Sequence, residues 1–99
     1  MSKNADNQKT VTLDDPLKRG GDKKVETIIV RRPTAGELRG TRLSDVANID
    51  VVAMIKVLPR ITIPALTEHE LDQMNPADFT ALGVEVANFL EQKKGSLVA

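Results

Sequence analysis

The 99-residue chain has no cysteine, no tryptophan and no tyrosine, and a single histidine, His69. Without a thiol there can be no disulfide, thiolate nucleophile, iron–sulfur cluster or cysteine zinc site. One imidazole supplies no histidine pair for a metal within one chain. These absences exclude most hydrolase and metalloenzyme chemistry. The aromatics are Phe79 and Phe89 alone, so a core must be built from Val, Ile, Leu, Met and Ala. No apolar run approaches the roughly 18–20 residues that span a bilayer. The polar start Met1-Ser2-Lys3-Asn4-Ala5-Asp6 has no apolar signal-peptide segment, so a soluble protein of a reducing interior is expected. Net charge is also missing, with 14 basic residues against 14 acidic. Residues 1–42 nevertheless hold ten Lys/Arg against six Asp/Glu, and residues 43–99 four against eight, giving +4 and −4. That polarity suits head-to-tail self-association or a charged partner at one end; an unevenly charged solvated surface is the simpler reading.

What is present suffices for one domain: 40% hydrophobic residues, 28% charged, and a length for a single core. Residues 1–9 are polar and aperiodic and read as a disordered tail. Val11 and Leu13 alternate with Thr10, Thr12 and Asp14, and a second β-branched run covers residues 25–30. Gly20-Gly21-Asp22 between them has the positive-φ tolerance of a tight reversal. Residues 10–31 therefore read as a β-hairpin, with Pro16 on an edge or at a bulge. Pro33 stops the second strand, and Thr34-Ala35-Gly36-Glu37 is a capping box opening a short helix that ends near Gly40 or Arg42.

Further on, Ser44 is a plausible cap and Asp50 a restart. Val51 to Leu58 fits either buried helix or buried strand, the caps and Pro59 as a stop favouring helix. Pro59 and Pro64 bracket residues 60–63, expected to be an extended connector. Thr67 and Glu70 form a second capping box, with Leu66 and Leu71 as its apolar staple. Asn75, Pro76 and Asp78 open a last helix, onto which Met74 staples through Phe79. Its stripe is Phe79, Leu82, Val86, Phe89 and Leu90, and Lys93, Lys94 and Gly95 form its end. From Pro76 to Lys94 it would extend roughly 28 Å. The expected class is α+β: an N-terminal β-hairpin packed on a C-terminal cluster of three to four short helices. One domain spans 10–94, helical over 34–94, and 95–99 is a tail.

No active site emerges. His69-Glu70-Leu71-Asp72-Gln73 lacks the second histidine of a zincin helix. Arg19-Gly20-Gly21-Asp22 is followed by neither Gly-Lys-Ser/Thr nor a helix, so it reads as a turn and not a phosphate cradle. Ser2, Ser44 and Ser96 have no base near them in sequence, and the carboxylates are explained by caps and solvated faces. No catalytic, cofactor-binding or metal-ligating residue is identified. Basic residues cluster at 18–24 and 31–42, which opens a nucleic-acid-binding alternative, but no aromatic stacking platform or basic recognition helix accompanies them. Ile61, Ile63, Leu66 and Val84, with the 51–58 run, form an apolar surplus. It is either unplaced core or a face for a partner helix.

The chain resembles the phage tail assembly chaperone family of Mu-like contractile-tailed phages, the E-type tail assembly proteins. The resemblance is carried by Val11-Thr12-Leu13, Pro16 to Gly21, Val30 to Gly40, Asp50-Val51, Ile55 to Thr62, Pro64 to Thr67, Met74 to Phe79 and Leu82-Gly83. It covers about residues 10–91. Arg32 to Leu38 and Leu58 to Thr62 are its most specific segments. The resemblance implies a non-enzymatic chaperone made during phage morphogenesis or from a prophage, which binds and solubilises the tape measure protein and helps recruit tail-tube subunits. It further implies action in the bacterial host cytoplasm and absence from the mature virion. A homo-oligomer, or a longer form frameshifted near Phe89-Leu90 or Lys93-Lys94, is also expected. Among the motif positions, Thr34, Glu37 and Pro59 have structural accounts as cap and stop, whereas Arg32, Arg39 and Arg60 have none. Those three arginines, with Ile61, Ile63, Leu66 and Val84, are the candidate partner-binding residues.

Overall fold

Residues 7–91 are described by a computed structural model. Strand β1 (Gln8–Lys18) and strand β2 (Lys24–Arg31) form the antiparallel hairpin. Gly20 and Gly21 at its reversal have φ of +55° and +56°, where a side chain would be strained. The alternation puts Val11 and Leu13 of β1, and Ile28 and Val30 of β2, into the core. Register runs Thr12 to Thr27 and then Leu17 to Val25, so β1 takes five steps against two and bulges around Pro16. The strand starts at Gln8, so Gln8 and Lys9 belong to the sheet and not to the expected tail; the Asn7 carbonyl accepts from the Arg32 N–H at 2.7 Å.

The first capping box opens a single 3₁₀ turn, Ala35–Leu38, consistent with two glycines in the segment. Helix α1 (Leu43–Ala47) takes Arg42 as N-cap, which corrects the expectation for Ser44: the serine lies inside the turn and caps nothing. Asp50 does cap helix α2 (Val51–Ile61), accepting from the Ala53 N–H at 3.1 Å. Pro59 does not stop it. The helix runs two residues further, to Ile61, because a proline this late forfeits only the bond to Ile55 and Ile61 gains complete burial. Residues 60–63 are thus only half connector. Thr62–Ile63 form β3, which pairs antiparallel with Val30 and Ile29 of β2, and sequence periodicity gave no sign of this third strand. Buried Thr62 donates its hydroxyl to the Leu58 carbonyl at 2.7 Å and accepts from the Leu66 N–H at 3.1 Å, so its polar group is satisfied. The Ile63–Pro64 peptide bond is cis.

Helix α3 (Glu68–Asp72) is opened by the second capping box. Helix α4 (Pro76–Leu90) has Asn75 as N-cap, accepting from the Ala77 N–H at 2.8 Å, with Pro76 at the first position. It has 15 residues, shorter than expected, and spans roughly 22 Å. The expected terminators Lys93, Lys94 and Gly95 lie outside the described residues, as does the C-terminal tail. Helix α4 packs on β1, β2 and α1, while α2 packs on β2, α1, α3 and the 3₁₀ turn. The α+β architecture is as expected, with four helices and a sheet of order β1-β2-β3. Met54, Val57, Leu58, Ile61, Leu82 and Val86 are fully buried between the layers.

Candidate functional site

Each Thr-x-x-Glu box does two tasks, because an arginine from the hairpin reaches its carboxylate. In the first, Glu37 accepts from the Thr34 N–H at 3.0 Å and from Arg31 Nη1 at 2.8 Å, with Arg31 Nη2 on its second oxygen. In the second, Glu70 accepts from the Thr67 N–H at 3.0 Å and takes Arg19 through Nε at 2.8 Å and Nη2 at 2.7 Å. Thr67 Oγ1 accepts from the Glu70 N–H at 3.0 Å, closing that box. The fork of a guanidinium matches two carboxylate oxygens, which makes both pairs bidentate. The Arg31 contact holds the Glu37 carboxyl down from its ordinary value of 4.5 to about 2, with the capping N–H of Thr34 adding to the effect. Arg19 lowers Glu70 in the same direction. The hairpin is thereby fixed to the helical layer at both ends of β2.

The two most specific segments of the resemblance, Arg32 to Leu38 and Leu58 to Thr62, meet at the first box. Arg31 Nη2 donates to the Arg60 carbonyl at 2.9 Å, and Arg60 Nη1 donates back to the carbonyls of Glu37 at 2.8 Å and Arg39 at 2.9 Å. Arg60 therefore has a structural role the sequence did not suggest: it orders the loop after the 3₁₀ turn. The Arg32 guanidinium lies over the Phe89 ring, 5.8 Å from its centroid, so it packs hairpin against α4. Arg39 is exposed. The apolar quartet divides. Ile61 and Leu66 are core, at 0% and 2% exposure, which corrects their expectation as contact residues: they are the unplaced core. Ile63 and Val84 are exposed, on β3 and α4 respectively.

Asp78 escaped sequence reading. Expected only to face a positive helix end, it is buried, and its two oxygens accept from the backbone N–H groups of Asp14 at 2.7 Å and Asp15 at 3.0 Å. It so satisfies the donors that the β1 bulge releases from the ladder. Arg19 and Glu70 lie 51 positions apart, a separation that no local pattern discloses. Among the described residues the exposed large apolar side chains are Leu43, Val51, Val52, Ile63 and Val84, of which Val52 lines a shallow cleft of about 300 Å³. Its lining includes Arg42, Asp45, Asp50, Val52 and Lys56. Among the described residues no cluster of His, Asp or Glu could hold a metal ion, and no helix is long and apolar enough to cross a membrane.

Comparison with known proteins places these features. No solved structure matches the chain significantly. It is 43% identical over 90 residues to tail assembly protein E' of Escherichia phage P2, covering 91% of this chain and 63% of that protein. It is 46% identical over 83 residues to tail assembly protein E of the same phage, covering 84% of this chain and 90% of that one. The chain thus spans less than two thirds of E' and nearly all of E. The family described as "Phage tail assembly chaperone proteins, E, or 41 or 14" matches residues 10–91, a range that holds both arginine-clamped boxes, the four described helices and the sheet apart from Gln8 and Lys9. With that match and those two relatives, the chain belongs to the phage tail assembly chaperone family.

Proposed function

We propose that the protein binds the tape measure protein of its phage tail, keeps it soluble, and helps bring tail-tube subunits to it during morphogenesis. Family membership carries the reading, since the matched segment takes in the described elements apart from Gln8 and Lys9 of β1. The surface is compatible with it: among the described residues, five large apolar side chains remain exposed. A long helical client exposes repeated apolar stripes, and many weakly bound copies hold it by avidity while each remains displaceable by polymerising tube subunits. The reading requires no catalytic residue. It places the protein in the host cytoplasm during assembly and outside the finished virion. A longer form made by frameshifting belongs to the same proposal, supported by comparable identity to two relatives that this chain covers to 63% and 90%.

Co-expression with the tape measure gene of the same phage tests the function. The client is expected to move from the insoluble to the soluble fraction and to co-purify. A client that stays insoluble and does not co-purify would overturn the reading. Steeply salt-dependent binding to duplex DNA would instead support a nucleic-acid accessory role. Detection in purified mature tails would mark a structural component, and coding DNA without a slippery heptamer and overlapping frame would remove the longer form.

A further inference from the structure

We infer that the free edge of β1 pairs with the same edge of a second copy, antiparallel and centred on Val11, joining two three-stranded sheets into one. The inference goes beyond the client-binding reading and does not rest on it. In the sheet of order β1-β2-β3, β1 is an outer strand with β2 on one side only. Residues of an antiparallel ladder alternately exchange both backbone bonds with the residue opposite and turn those groups away. The Arg32 N–H reaches the Asn7 carbonyl, which sets the phase. Lys9 and Val11 therefore bond to Val30 and Ile28, while Gln8, Thr10 and Thr12 turn their backbone groups outward. The open ladder ends there, because Asp78 takes the N–H groups of Asp14 and Asp15 and the strand bulges beyond Thr12. From Gln8 to Thr12 the edge has neither the proline nor the bulge that guards an edge against pairing, and Thr10 and Thr12 are exposed.

Charge order along the strand selects the occupant. The strand is basic near its start, at Lys9, and acidic further on, at Asp14-Asp15, and all three residues are exposed. Laid antiparallel, a second β1 brings its acidic stretch beside the basic start of the first. Centred on Val11, each Thr10 lies opposite the partner's Thr12, and the two pairs exchange four N–H···O=C bonds. Lys9 then lies opposite the partner's Leu13, with the partner's Asp15 as a diagonal neighbour roughly 7–8 Å away, within reach of a long side chain. The two lysines stand roughly 13 Å apart along the strand. Centring on Thr10 instead would halve that separation and carry the aspartates away, so charge fixes the register too. A second β1 is already extended, whereas an unstructured segment would lose backbone entropy on pairing. The opposite edge, β3, offers two residues before Pro64. Equal numbers of acidic and basic residues leave no net repulsion between copies.

Sedimentation equilibrium on the full chain, in a concentration series reaching the millimolar range, is expected to show a reversible monomer–dimer equilibrium. Lys9→Glu should weaken the dimer by about tenfold or more, since it sets like charges beside each other. Adding Asp15→Lys to the same chain should restore it, because the swap again places opposite charges together. Thr10→Pro should abolish the dimer with the thermal melt little changed, as the nitrogen it alters faces away from β2. The chain has no cysteine, so oxidation reads the register: Thr10→Cys chains mixed with Thr12→Cys chains should cross-link more than either alone. A chain monomeric throughout, a dimer indifferent to both Lys9→Glu and Thr10→Pro, or a double variant no tighter than Lys9→Glu would overturn the inference. So would Thr10→Cys cross-linking as well alone as in the mixture. Protection of the β1 amides from hydrogen exchange only when the tape measure protein is added would do the same, assigning the edge to that client.

Discussion

Ile49 and Gly83 show how single residues set the packing between α1 and α4. Ile49 has φ of +58°, a left-handed conformation strained for a β-branched residue. Its Cγ2 lies where a Cβ on Gly83 would be, so the glycine admits the isoleucine at van der Waals contact. Gly83→Ala gains about 1 kcal/mol of helix propensity but forces an overlap whose cost is about 1–3 kcal/mol. Net destabilisation is expected in urea unfolding, and the penalty should shrink or reverse in an Ile49→Ala background, where the colliding methyl is gone. Asp78 belongs to the same scale. Its place three residues into a helix is legible in the sequence, yet the bulge donors it serves are some 64 positions away and become neighbours only when β1 lies on α4.

At the scale of elements, the two capping boxes were legible because their chemistry is local: Thr and Glu three apart, each reaching the other's backbone. Their arginines were not. Because Glu37 is lowered from 4.5 to about 2 in the folded chain, the unfolded chain takes up its proton first as pH falls. The stability it contributes is complete above about pH 4.5 and is lost on descending toward pH 2. Glu70, lowered by Arg19, acts in the same sense. Denaturant midpoints measured from pH 6 to pH 2.5 should fall for the wild type, and fall less steeply for Glu37→Gln. Both pairs are partly solvated, so each contributes modestly at neutral pH. The proline-containing helix α2 is the opposite lesson, as a local stop signal lost to the burial of Ile61 and the pairing of the next two residues with β2.

Across the whole molecule, core and surface divide residues that look alike in the sequence. Ile61→Ala should destabilise by about 2–5 kcal/mol, because a fully buried side chain leaves a cavity. Ile63→Ala, two residues on and 47% exposed, should cost within about 0.5 kcal/mol by the same measurement. Were the two penalties equal, the placement of β3 would be wrong. Composition alone determined an aliphatic core without thiol chemistry, and local patterns determined the hairpin, the capped helix starts and the apolar stripe of α4, since each depends on residues within a turn or two of one another. The fold alone decided that Arg19, Arg31 and Arg60 are ties between layers, that Asp78 serves the bulge, and that Val51 and Val52 remain outside while Ile61 and Leu66 are sealed. Those outcomes depend on contacts between residues far apart in the chain, and such contacts exist only once the sheet and the helices have closed on each other.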